Sequence, residues 1–253
     1  MRVAIVTGAS SGIGRSAAVH IARRGNGVIL TYGANRQGAL DAVAEIEKEG
    51  GTAVALPLDV GETGGFPAFR ASVVEALRQT WGRDTFDHLV NNAGFGQAAP
   101  FEDTTEELFD RFTRVLLKGP YFLTQTLLPL LADGGAIVNT ASNSATATTG
   151  LEPGYSAYAS MKGGVIVLSR YLAKEFGGRG IRVNSVSPGP TRTRISGDAF
   201  ERFPEVIPGI AARTALGRVG EPDDIGAVIA SLLSEEGRWI TAQNIEVSGG
   251  YDL

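Results

Sequence analysis

The chain has 253 residues, 43% of them hydrophobic, enough to bury a substantial core in one large α/β domain or two small ones. Its formal net charge of −4 leaves no basic excess, which argues against a nucleic-acid backbone or an anionic membrane surface as main partner and points to small molecules. Without cysteine there is no disulfide, no thiolate nucleophile and no Cys-based zinc site, and two histidines as far apart as His20 and His88 exclude a His-rich metal site.

In chain order, short β-branched runs at 3–6, 28–30, 53–56, 86–90, 136–139, 181–186 and 245–247 read as strands. The opening Met1-Arg2-Val3-Ala4-Ile5-Val6 is strand-like from its second residue and lacks the apolar core of a signal peptide, and no run approaches the length of a membrane span, so a cytoplasmic protein is expected. The intervening stretches carry helical periodicity, clearest at Met161, Val165, Leu168, Leu172 and Phe176. Strands apolar on both faces and joined through helices predict a doubly wound parallel sheet of the Rossmann type, about seven strands with helices on both faces, in a single domain over 1–253.

After the first strand comes Thr7-Gly8-Ala9-Ser10-Ser11-Gly12-Ile13-Gly14, opening a helix with an apolar face of Ala17, Ala18, Ile21 and Ala22. Glycines there permit a tight turn and let a pyrophosphate approach main-chain N–H groups at the positive helix terminus, so Gly8, Ser10, Ser11, Gly12, Ile13 and Gly14 are expected to bind a dinucleotide. Gly8 to Gly12 also fits the G-x-S-x-G elbow of serine hydrolases. Such an enzyme needs its histidine after the serine and the acid, whereas both histidines lie within the first 88 residues. That alternative is therefore the weakest.

Further along, Tyr158 and Lys162 stand four residues apart at the start of the amphipathic helix and share a face. Random placement in this composition predicts about 0.1 such pairs, so the spacing is suggestive rather than decisive. A cation about 5 Å from the phenol at an effective dielectric of about 20 favours the phenolate by roughly 3 kcal/mol, and a tyrosine pKa lowered about two units is the expectation. The segment at about 190–213, with several prolines and the apolar residues Ile195, Phe200, Phe203, Val206, Ile207 and Ile210, breaks the strand–helix rhythm and reads as a substrate lid.

With the glycine turn, Asn91-Asn92-Ala93-Gly94 after the fourth strand, and Tyr158 with Lys162, the chain resembles the classical short-chain dehydrogenases/reductases. The likeness runs end to end, through Asp59-Val60, Ile137-Val138-Asn139-Thr140-Ala141-Ser142, Pro188-Gly189 with Thr193, Gly217-Arg218 and Val247-Ser248-Gly249-Gly250. It implies an NAD(P)-dependent oxidoreductase acting on a carbonyl or secondary alcohol, with Ser142 bonding the substrate oxygen, Tyr158 exchanging the proton, and Lys162 holding the nicotinamide ribose. It assigns Asp59 and Val60 to the adenine side, Asn91, Ala93 and Gly94 to the ribose side, and Pro188, Gly189, Thr191 and Thr193 to the nicotinamide end. It also implies a homotetramer built through helices near 104–131 and 156–177 and the C-terminal strand.

Two departures stand out. Leu116, in Val115-Leu116-Leu117-Lys118-Gly119, occupies the position where the family usually has asparagine, which keeps a non-catalytic dinucleotide-binding protein as the second alternative. Ser142 lies sixteen residues before Tyr158, more than the family's usual spacing, so Ser144 is a rival serine. The second strand ends in Thr31-Tyr32-Gly33-Ala34-Asn35-Arg36 without the acid that would repel a 2′-phosphate; Tyr32, Asn35 and Arg36 are expected to receive one, favouring NADP(H) while leaving NAD(H) possible. The apolar lid, with Phe95, Tyr155 and Phe203, suggests a substrate of moderate size lacking a strong anionic handle, although Arg192 and Arg194 on the lid's leading edge offer one site for a carboxylate.

Overall fold

A computed structural model describes residues 1–147, 151–195 and 197–253. Residues 148–150 of the loop between Ser142 and Tyr158, and Ser196 in the expected lid, lie outside that description.

The apolar runs become β1 (Val3–Val6), β2 (Gly27–Tyr32), β3 (Ala53–Pro57), β4 (Phe86–Asn91), β5 (Leu131–Thr140), β6 (Arg182–Pro188) and β7 (Asn244–Val247). They form one parallel seven-stranded sheet, as the sequence pattern predicts, and its strand order is β3-β2-β1-β4-β5-β6-β7. The helices are α1 (Gly12–Arg23), α2 (Arg36–Lys48), α3 (Phe66–Trp81), α4 (Glu106–Phe112), α5 (Gly119–Leu127), α6 (Ser156–Phe176), α7 (Ala199–Arg202), α8 (Ile207–Ala212) and α9 (Pro222–Leu233), with a π-helical turn, Thr113–Lys118, joining α4 to α5.

Strand alternation assigns the two cores. Ala4 and Val6 face a cluster built with α1, α2 and α9, while Val3 and Ile5 face one built with α3, α5 and α6. Both faces of β1 are fully buried, which is why its residues are uniformly apolar.

One boundary differs from the sequence reading. The fifth strand starts at Leu131 rather than 136, because Leu131 pairs with Phe86 before an irregularity that resumes register at His88 and Ala136. Asp133-Gly134-Gly135 reads as a turn in sequence, and Gly134 does adopt a φ of 73°, but as a bulge within the strand.

His88, on β4, is only 2% exposed, and its Nδ1 has no hydrogen-bond partner among the described residues. Burial, partly opposed by Asp87, pushes its pKa down to about 4. The unfolded chain, with a histidine near 6.5, then takes up the proton first as the pH falls. The stability that neutral His88 contributes is complete above about pH 6.5 and drains toward pH 4, by roughly 3 kcal/mol. Urea unfolding is expected to show the wild type weakening across this window and His88→Leu weakening much less; equal slopes would contradict the assignment.

Candidate active site

The strand order reverses between β1 and β4, and the carboxyl ends of the sheet open there into a cleft of about 1690 Å³. An ordinary small-ligand site measures ~300–1,000 Å³, so this cleft has room for a large cofactor and a second molecule.

At one end, the chain leaves β1 and turns at once. Gly8 and Gly12 adopt φ of 65° and 55°, the left-handed region that glycine tolerates without strain. A Cβ on Gly8 would sit 2.8 Å from Ala93 Cα, and one on Gly14 would sit 2.5 Å from both Gly8 O and Asn92 Nδ2. Gly8, Ser10, Ser11, Gly12 and Ile13 line the cleft; Gly14 does not, and instead seats α1 against the turn. The start of α1 carries neither a side-chain cap nor an acid in its first turn, so its N–H groups remain available to an anion. Ala93, Gly94, Asp59, Val60, Pro188, Gly189, Thr191 and Thr193 continue the lining. These features fit a bound dinucleotide.

Asn91 departs from expectation. It is buried, and its Nδ2 donates to Thr124 Oγ1 at 3.0 Å and Asn139 Oδ1 at 2.8 Å, inside the protein. The next residue, Asn92, lines the cleft and donates to Thr7 O at 3.0 Å. Thr7, passed over in the sequence, ties the two strand ends together: its hydroxyl accepts from the Asn92 and Ala93 amides at 2.9 and 3.0 Å.

Beyond the end of β2, Gly33 and Ala34 line the cleft, whereas Tyr32, Asn35 and Arg36 lie outside its lining. Asn35 caps α2 by accepting from the Gly38 amide at 3.1 Å and reaches Ser10 O at 3.4 Å. Arg36, the first residue of α2, is exposed, and its side chain has no partner among the described residues.

At the other end, Ser142, Tyr158 and Lys162 meet. Ser142 follows β5 and is 7% exposed; Tyr158 and Lys162 project from the buried stripe of α6 and are 8% and 4% exposed. Ser142 stands near enough to the Tyr158 phenol to favour its phenolate, and its hydroxyl donates to Ser144 Oγ at 3.2 Å; both serines line the cleft. Lys162 Nζ donates to Thr140 O at 2.7 Å and lies 5.8 Å from the Tyr158 ring centroid.

The electrostatics correct the sequence expectation. Burial pushes the Tyr158 pKa up to about 12, against the Ser142 hydrogen bond that favours the phenolate. Burial also pushes Lys162 down to about 8. Desolvation penalises both charged forms and outweighs the pull of the cation across this distance.

Leu116 sits in the π-helical turn, 1% exposed, and packs with Phe112, Tyr158 and Met161. Its Cδ2 would lie 3.1 Å from a Cβ on Gly94, so it fills the space beneath the glycine and the tyrosine.

The 190–213 segment contributes Arg194, Ile195, Phe200, Val206, Ile210 and Arg213 to the cleft, and Gly96 N donates to Ile195 O at 2.9 Å. Phe203 lies outside the lining, its ring 5.1 Å from the Arg202 guanidinium. Arg192 and Arg194 are engaged by Glu221 at 3.1 Å and Asp198 at 3.2 Å. Neither histidine lines the cleft; His20 Nε2 lies 3.5 Å from Asp223, so the elbow-like serines have no histidine base. Among the described residues, no cluster of acids and histidines is arranged to hold a metal, and no helix is long and apolar enough to cross a membrane.

A family model described as enoyl-(acyl carrier protein) reductase matches residues 8–252. An uncharacterised oxidoreductase of Methylorubrum extorquens is 40% identical over 250 residues, covering 98% of this chain and 97% of the relative. A hydroxynaphthalene reductase-like protein of Metarhizium brunneum is 34% identical, covering 98% of this chain and 94% of the relative. The crystal structure of an angucycline C-6 ketoreductase, LanV, with bound NADP superposes with a TM-score of 0.93 at 35% identity, covering 99% of this chain and 95% of that one.

The depressed lysine is directly observable. The chain has four lysines, and carbon-13 NMR of the lysine ε-methylenes is expected to show one titrating at about pH 8, absent in Lys162→Met. Four ordinary titrations would contradict the burial argument.

Proposed function

The chain belongs to the classical short-chain dehydrogenase/reductase family, whose members are NAD(P)-dependent oxidoreductases, and on that premise we propose that it reduces a fused-ring aromatic ketone with NADP(H), Tyr158 donating the proton. The observation that carries this reading is the meeting of a buried phenol, a neighbouring serine and a buried lysine in the cleft that the glycine turn also lines.

NADP(H) is the preferred cofactor: no acid stands at the end of β2, Arg36 is free to meet a 2′-phosphate, and the related angucycline ketoreductase carries NADP. The glycine turn and the start of α1 would hold the pyrophosphate, Asp59 and Val60 the adenine side, Ala93, Gly94 and Lys162 the ribose side, and Pro188, Gly189, Thr191 and Thr193 the nicotinamide end. When bound, NADPH supplies the hydride that reduces the carbonyl carbon. Ser142 donates a hydrogen bond to the carbonyl oxygen, and Tyr158 transfers its proton there, leaving an alcohol and a phenolate. A phenol raised to about 12 is fully protonated at neutral pH, the state a proton donor needs. Lys162, near 8, can hold positive charge against the phenolate and return a proton to it.

The substrate class rests on the lining and on the relatives. Phe95, Phe101, Tyr155, Phe200 and Ile210 offer apolar and aromatic surface to flat rings. Two relatives bear names of enzymes for hydroxynaphthalenes and angucyclines. The 190–213 segment acts as the lid over this half of the cleft within a single catalytic domain. Exposed Phe109, Tyr121 and Phe122 on α4 and α5, and Val167 and Tyr171 on α6, support a homotetramer; a monomer mass by light scattering would contradict that.

An assay of NADPH oxidation with fused-ring ketones tests the reading. Tyr158→Phe is expected to lower kcat by about 10³-fold while still binding NADPH, and substantial residual turnover would overturn the role of Tyr158. Arg36→Ala is expected to lower kcat/KM for NADPH by about tenfold and to leave NADH unaffected. Equal losses with both cofactors would remove Arg36 from phosphate recognition.

A further inference from the structure

Arg111, in the last turn of α4, lines the cleft beside Phe95 and takes no part in the chemistry above. Its guanidinium carbon lies 4.2 Å from the Phe95 ring centroid. Phe95 stacks on Phe112 with centroids 4.8 Å apart and planes 7° from parallel, and Phe112 meets Tyr158 edge-on at 6.0 Å. A row of rings thus runs from a cation at the rim to the phenol in the depth of the cleft.

The cation rests on a ring and has no anionic partner among the described residues. Arg111 is exposed and forms no ion pair or side-chain hydrogen bond with a described residue. Glu107 stands one turn earlier, Asp110 adjoins it and Glu102 shares the cleft lining, yet none lies within ion-pair distance. The other arginines of the cleft are engaged, Arg194 by Asp198 at 3.2 Å and Arg213 by Glu152 at 2.6 Å and Asp252 at 2.5 Å. An arginine held against a ring loses part of its side-chain freedom before any ligand arrives, so less entropy is lost on binding, and its donors have no acceptor among the described residues. A guanidinium so placed suits an oxyanion held in a plane.

Resting on the reading of the cleft as a ketone-reducing site, we infer that Arg111 binds an anionic oxygen substituent, a carboxylate or an ionised phenol, carried by the aromatic substrate at the end remote from the reacting carbonyl. This reverses the sequence-based expectation of a substrate without an anionic handle, and it moves that handle from the lid arginines to α4. The inner part of the cleft selects flat rings, and Arg111 selects their orientation.

Three probes sharing one methyl ketone test this: acetylnaphthalene, acetylnaphthoate and acetylnaphthol. Dissociation constants from titration calorimetry on the NADP⁺-loaded protein, and kcat and KM for reduction, are compared in wild type, Arg111→Gln and Arg111→Lys. The wild type is expected to bind the naphthoate about tenfold tighter than the neutral ketone, with the difference in KM rather than kcat. Arg111→Gln is expected to bring that ratio to about one, and Arg111→Lys to keep part of it. A naphthol preference that grows as its own phenol ionises identifies the phenolate as handle; a preference confined to the naphthoate identifies the carboxylate. A wild-type ratio of about one, or a ratio unchanged in Arg111→Gln, overturns the inference. Selective binding that depends on Arg111 without reduction of any of the three ketones contradicts the reductase reading and leaves the anion site standing.

Discussion

Everything in this molecule depends on the reversal of strand order between β1 and β4. Crossovers that run outward in both directions from that pair leave no helix over the carboxyl ends of the two strands, and the gap becomes the cleft. The chain then has to turn sharply after β1 without filling the gap. Gly8 and Gly12 supply the left-handed backbone, and Thr7 binds the turn to the end of β4 through two amides. Later elements deliver Ser142 from β5 and Tyr158 and Lys162 from α6 to the same opening.

Burial sets the chemistry of those groups more than their mutual attraction does. A phenol and an ammonium taken out of water both move toward their neutral forms, Tyr158 up and Lys162 down. The two groups, nearly matched in water, are driven apart, so at rest the proton stays on the phenol while Lys162 gives up its own more readily than an exposed lysine. Leu116 contributes to the same effect. Where a polar side chain would bring its own dipole, this leucine packs against Tyr158 within a π-helical turn and keeps the floor of the site apolar.

The fold was legible because both faces of the sheet are buried, so that β-branched runs mark strands without ambiguity, and six of the seven start within one residue of the expected position. The exception is β5, where a glycine bulge looks like a turn to any local pattern. At the site, Tyr158 and Lys162 were legible from helical spacing, and their convergence with Ser142 from the order of motifs. The choice between Asn91 and Asn92 was not. It depends on which of two adjacent side chains points into the sheet core, and β4 continues one residue past its apolar run, to Asn91. The direction of the tyrosine shift was also hidden, since spacing shows that a cation is near but says nothing about how dry the surroundings are. The stack of Arg111, Phe95 and Phe112 joins two segments that no local pattern connects.

The central claim is that Tyr158 is the group that exchanges the proton, with its ionisation set by burial and eased by Ser142. The most direct measurement is the pH profile of kcat/KM for oxidation of the product alcohol in wild type and in Ser142→Ala. The wild-type rate is predicted to rise with pH as the phenol ionises, and the rise in the variant is predicted to move to higher pH, because the serine hydrogen bond that favours the phenolate is gone. A rise at the same pH in both proteins would mean that another group handles the proton.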